Sequence, residues 1–367
     1  MSNKENAGKI LLALTVFVYL LTGCAPQEIK PTIMTAPPPR QPAKTTPTPL
    51  DPIAPISDSE RPAISLSSAS ELEALYILGG QKDGVTGLAF LPNDLQLASL
   101  SGDLVLSLWN AGNGALVDTL TNPGDRVYNV AFSRGADLLA VGNQPAYAVG
   151  LMDARNGQLL STLKGNNAFI MKLVFSPDGT LLASGDLKGT IIIWNVESGE
   201  EVGKFLAKST VDSLTFSPDG TLLASGNAEG NTDIQLWDVI SGEELQTLRG
   251  HNNNVYNLVF TPDGAQLFSS SGDLTIKLWD LESGQEIRTL TGHRHKVYGL
   301  ALSPDGTLLA SASADGLIKL WEVESGRELA TLYSHSEFIY HLAFSLDGSL
   351  LASGGEDESI ILWGIPR

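Results

Sequence analysis

Apolar positions in this chain fall in short bursts separated by turn residues. From His293 to Leu332 the sequence reads HRHKVYGLALSPDGTLLASASADGLIKLWEVESGRELATL. Val297–Leu302 is a first burst, ended by Ser303-Pro304-Asp305-Gly306. Proline presets φ for such a turn, and glycine accepts the positive φ that follows. Leu308–Ser311, Ile318–Trp321 and Glu328–Leu332 come next, divided by Ala314-Asp315-Gly316 and Glu324-Ser325-Gly326. Turns recurring roughly every eight to twelve residues fit no helical period and predict four short antiparallel strands.

The unit is copied along the chain. Aligning on Trp321 gives Trp109, Met152, Trp194, Trp237, Trp279, Trp321 and Trp363, in steps of 43, 42, 43, 42, 42 and 42 residues. A first-strand marker keeps the same register: Phe90, Phe132, Phe175, Phe216, Phe260, Leu302 and Phe344. A glycine stands five residues after each aligned position except the last, from Gly114 to Gly326. Four strands in a period near 42 residues predict the blades of a propeller.

Gly292-His293, Asp315 and Trp321, repeated at this spacing, resemble the WD-repeat β-propellers over roughly residues 71–367. The resemblance implies an all-β fold, a single seven-bladed propeller. It also implies a buried network of turn His, second-strand Ser, loop Asp and third-strand Trp. The full sets are His251/Ser269/Asp273/Trp279, His293/Ser311/Asp315/Trp321 and His335/Ser353/Asp357/Trp363. Earlier units depart from it: the first has Gln81 and Asp103, the third Asn166 and Lys188, and the second Met152 with neither His nor Asp. Glu71–Leu78 aligns with a fourth strand, while the seventh copy runs only four residues past Trp363. The N-terminal strand is therefore expected to complete the last blade, close the ring and remove two exposed sheet edges.

Residues 1–23 read as a signal peptide. Lys4 and Lys9 precede the apolar run Ile10–Leu21, which is short for a membrane span. The run ends in Leu21-Thr22-Gly23-Cys24, which looks like a bacterial lipoprotein cleavage box and implies a lipid on Cys24. Cys24 is the only cysteine, so no disulfide supports the fold. Residues 24–70, with eleven prolines and few large apolar groups, read as a disordered tether. The expected location is outside the cytoplasm, lipid-anchored to a bacterial membrane at the periplasm or cell surface.

Charge narrows the partners. A net charge of −18 opposes binding to phosphate backbones or anionic lipid. Nucleic acid is therefore not expected, and contact with membrane is expected only through Cys24. No catalytic set, cofactor motif or metal site emerges. His293-Arg294-His295 has metal-like spacing but no accompanying ligand set.

The first strands carry the functional signal. Tyr128, Tyr256, Tyr298 and Tyr340 share one register, filled elsewhere by Thr86, Met171 and Asp212. In WD-repeat propellers the matching position opens on the rim of the central channel. Arg126, Phe169, Lys296 and Phe338 lie two residues earlier. Tyrosine joins a large rigid contact area to a polar tip, which suits recognition. Packing between blades is the competing role for these tyrosines. The expectation is a monomeric, non-catalytic scaffold that binds a protein or peptide on one face. The alternatives are a propeller enzyme, or a small-ligand or glycan binder using the axial channel.

Overall fold

The turns organise each blade through their own side chains. In the first turn of the unit at His293, Ser303 Oγ donates to Asp305 Oδ1 at 2.6 Å. The amides of Thr307 and Leu308 then donate to Asp305 and back to Ser303. Gly306 closes the turn at φ +72°, a left-handed conformation that glycine adopts without strain. Flanking residues alternate between two buried faces, so a four-stranded antiparallel sheet forms.

A computed structural model of the protein describes residues 61–91, 96–103, 105–121, 129–133, 137–154, 156–228 and 230–366. They form seven four-stranded sheets, six of them built from consecutive strands. In the blade opened by Val297–Leu302, the strands are Val297–Leu302, Leu308–Ser313, Leu317–Glu322 and Glu328–Tyr333. First strands of neighbouring blades touch all the way round, including the last with the first. The result is a closed seven-bladed propeller whose first strands line the axis.

The seventh sheet is finished from the other end of the chain. Glu73–Leu78 pairs antiparallel with Ile360–Gly364, placing Ala74 opposite Trp363 and Leu78 opposite Ile360. The expected ring closure is therefore present.

The core is distributed over seven apolar clusters, each spanning two neighbouring blades. Trp321, for example, packs with Phe268, Ile276 and Leu278 of the preceding blade. Met152 occupies the tryptophan position between the first two blades and is itself buried.

The tether boundary expected at residue 70 needs correction. Ile64, Ala69 and Leu72 are 3%, 0% and 7% exposed and enter the cluster between the sixth and seventh blades. Ile64 N donates to Gly348 O at 2.9 Å, and Ala69–Glu71 forms one 3-10 turn. Arg61 reaches Gly112 O in a turn of the first blade. Three apolar side chains that fit an existing seam suffice to hold this strap, despite its polar composition. Gly348 and Gly112 lie in turns at the end of the propeller where first strands finish. The His and Asp turns lie at the opposite end. Residues 1–60, with Cys24, lie outside the described residues.

Candidate protein-interaction face

At the end where first strands begin, each blade presents two turns. In the last three blades a buried relay holds them together. Trp279 Nε1 donates to Ser269 Oγ at 2.8 Å, Ser269 Oγ lies 2.7 Å from His251 Nε2, and His251 Nδ1 lies 2.8 Å from Asp273 Oδ2. The next blade repeats the relay with Trp321, Ser311, His293 and Asp315 at 2.8, 2.8 and 3.0 Å. Trp363, Ser353, His335 and Asp357 follow at 2.9, 2.8 and 3.0 Å. With Nδ1–H donating to the carboxylate, a neutral imidazole accepts from serine at Nε2, so every member is satisfied. Burial pushes the Asp315 carboxyl up, but hydrogen bonds from His293 and the Arg294 amide outweigh it and hold it at about 2. Asp273 and Asp357 are depressed by the same balance. Burial lowers His335, against the pull of Asp357.

Three other blades keep the tryptophan end of the relay and change the rest. Trp109 bonds Ser99, which donates to Gln81 Oε1 at 3.2 Å. Trp194 bonds Ser184, which donates to Asn166 Oδ1 at 3.0 Å. Trp237 bonds Ser225 at 2.9 Å. In the Asn166 blade, Lys188 does stand where the loop aspartate would be. Asp186, fully buried two residues earlier, instead accepts from the Lys188 and Thr190 amides at 2.9 Å each.

The tyrosine register coincides with a break in the sheet. Pairing between first and second strands shifts between Val255 and Asn257, between Val297 and Gly299, and between Ile339 and His341. Tyr256, Tyr298 and Tyr340 are therefore the extra residues of β-bulges. The same shift frames Thr86, Met171 and Asp212. A bulge removes its residue from the ladder and re-aims the side chain. Here it aims them at the rim of the axis.

Across three blades the rings meet. Tyr256 and Tyr298 have centroids 4.8 Å apart, and Tyr298 and Tyr340 5.1 Å. Phe338 stands edge-on to Tyr340 at 6.4 Å and stacks on His295 at 5.9 Å. Lys296 Nζ lies 5.9 Å from the Tyr256 ring centroid, within cation–π range. Tyr340 OH donates to Glu356 Oε2 at 2.9 Å. Burial, joined by that bond, pushes the Tyr340 phenol well above its ordinary range. Burial also raises Tyr256 and Tyr298. All three rings remain half-buried. The tyrosines thus pack against neighbouring blades and also keep accessible surface, so the two roles are not exclusive.

Other residues read as part of this face are dispersed. Phe169 and Met171 occupy the same register on the third blade and are also half-buried. Tyr128 and Arg126 lie outside the described residues. Sequence reasoning missed His295 as the ring stacked on Phe338, and it missed the Tyr340–Glu356 bond. Both depend on contacts between separate turns, which no register reveals.

No metal arrangement accompanies the arc among the described residues. No group of three His, Cys, Asp or Glu side chains is placed to hold a metal ion there. Both ring nitrogens of His293 are engaged in the relay, and His295 faces Phe338, so their short spacing does not make a ligand pair.

The sequence pattern of the WD domain, G-beta repeat family matches residues 72–110, 157–195, 199–238, 242–280, 284–322 and 326–364. Each segment takes the fourth strand of one blade and the first three of the next. The unmatched interval contains Met152 and the blade without His or Asp. Propellers of this family commonly bind proteins or peptides, and they typically serve as non-catalytic interaction scaffolds. The match covers most of the chain, and the last three blades carry the full Trp–Ser–His–Asp relay: this protein belongs to the WD-repeat family.

Proposed function

We propose that this protein is a non-catalytic scaffold held outside the cytoplasm by a lipid on Cys24. It captures a protein or peptide on the aromatic rim formed by Tyr256, Tyr298, Tyr340, Phe338 and Lys296. The observation that carries the reading is the bulge register. Six blades set the same residue out of the sheet at the axial rim, and three successive blades fill it with tyrosine. A core position would not need a bulge, and a purely solvated one would not stack rings. Tyrosine pays little conformational entropy on binding, which favours it as an anchor. The strap enters the propeller at the face opposite this rim.

The test is in the cell of origin, with a photo-crosslinking amino acid at position 298 and, separately, at Lys204 on an outer strand. The reading predicts a discrete adduct from position 298 and none from 204. Equal adducts from both, or none from either, contradict it. Cys24→Ala is expected to move the protein from the detergent phase to the aqueous phase and to abolish incorporation of labelled fatty acid. Unchanged partitioning and labelling would refute the lipid anchor.

A further inference from the structure

Charge is not spread evenly around the rim. In the turn that leads into the first strand, the fifth blade carries Asn252, Asn253 and Asn254, and the sixth Arg294, His295 and Lys296. The seventh blade has Glu337 and the first has Asp83, each two residues before its first strand. The turn between the second and third strands of the seventh blade adds Glu356 and Glu358. These turns are drawn together. Glu356 N donates to Phe338 O at 2.8 Å, and Asp83 N donates to Glu358 Oε1 at 3.4 Å across the junction of the last blade with the first. Both Asp83 and Glu358 hold a left-handed backbone, at φ +60° and +61°. At the position of Glu358 the sixth blade has Gly316, which takes that conformation without the steric cost of a side chain.

This acidic corner has no counter-charge. Among the described residues, none of the four carboxylates is in an ion pair, and Lys82 and Lys296 on the adjoining turns pair with none of them. The chain does match charges elsewhere: Lys208, Lys277 and Lys319 each pair with a glutamate of an outer strand. The aromatic arc ends against the same corner. Tyr340 OH donates to Glu356, and Phe338 stands edge-on to Tyr340. At its other end the arc already carries a cation, since Lys296 Nζ lies 5.9 Å from the Tyr256 centroid.

We propose that the partner segment received at this rim carries an arginine or lysine, seated against Phe338, Tyr340, Glu337 and Glu356, with apolar neighbours along Tyr298 and Tyr256. This rests on the rim being the recognition surface and adds the chemistry of what it takes. A cation there gains both the ring faces and the unpaired carboxylates. The net charge of −18 steers a basic segment inward. Arg294 and Lys296 oppose a run of basic residues, so the segment is a single cation flanked by apolar side chains.

A random heptapeptide phage library is panned on the full-length protein, and binders abolished by Tyr298→Ala are sequenced. They are expected to share one arginine or lysine beside apolar residues. The leading peptide is then measured by fluorescence anisotropy. Glu337→Gln combined with Glu356→Gln should weaken it about tenfold, while the introduced amide still accepts from Tyr340 OH. Glu282→Gln combined with Glu324→Gln removes the same charge from turns of the opposite face and should leave affinity unchanged. Melting curves check that the variants fold. Replacing the basic residue of the peptide by glutamine makes the same comparison on the wild-type protein, and about a tenfold loss is expected there too. Tyr298-dependent peptides without a basic residue, or equal losses from the two glutamate pairs, overturn this inference and leave the rim as the recognition surface. The absence of any Tyr298-dependent binder contradicts both.

Discussion

Asp315 illustrates what single residues contribute to this propeller. It accepts from His293, from the Arg294 amide and from the Leu317 amide, and so pins two turns of one blade. Asp315→Ala leaves a buried imidazole N–H without its partner, which costs about 1–3 kcal/mol. Trp321→Ala also empties a seam between blades and should cost about 3–5 kcal/mol. Thermal melts of the two variants check both the order and the size. The pH response follows from the same groups. Asp315 has a folded pKa of about 2, below its unfolded value of about 3.9. Its stabilisation is complete above the unfolded value and is lost as pH falls through about 2. His341 is also depressed, to about 3, so the unfolded chain takes up that proton first, from about pH 6.5 downward. Stability should therefore decline between pH 6.5 and 3, and His341→Gln should make that decline shallower. An identical slope in His341→Gln would show that another group is responsible.

The Trp–Ser–His–Asp sets of the last three blades were legible because one register repeats them. Asp186 was not legible. From a position two residues earlier it accepts from the Thr190 amide, the counterpart of the Leu317 amide that Asp315 holds, and from the Lys188 amide, and only the fold reveals this.

At the level of elements, strand order and turn positions follow from local chemistry. Ser-Pro-Asp-Gly supplies its own hydrogen bonds, and the alternating bursts that flank it have buried faces on both sides. The Glu73–Leu78 strand was legible for the same reason, since its leucines keep the register of a fourth strand. Residues 61–72 gave no such periodic signal. Only three buried apolar side chains, Ile64, Ala69 and Leu72, mark the strap, and their value depends on a seam elsewhere in the chain. The closing strand and strap should act together. Deleting residues 61–78 opens the edge of Ile360–Gly364 and uncovers the seam between the last two blades. The expected result is unfolding or concentration-dependent association by light scattering. Monomeric elution with an unchanged melting temperature would mean that the ring closes without them.

On the scale of the whole molecule, the two faces of the propeller are built differently. Apolar seams between blades and the buried relays carry stability. One face receives the N-terminal strap, and the other gathers the bulged residues around the axis. The bulge explains why tyrosine recurs at one register without belonging to any seam. The tyrosine register was readable in the sequence, but the bulge was not, because the pattern of apolar residues is the same on either side of it. The most direct test replaces Tyr256, Tyr298 and Tyr340 together with alanine, measuring capture of the partner crosslinked through position 298 alongside the melting curve. The account predicts at least a tenfold loss of capture with the melting temperature within a few degrees of wild type. Retained capture, or a collapse in stability that accounts for its loss, would contradict the claim that this rim is the recognition surface.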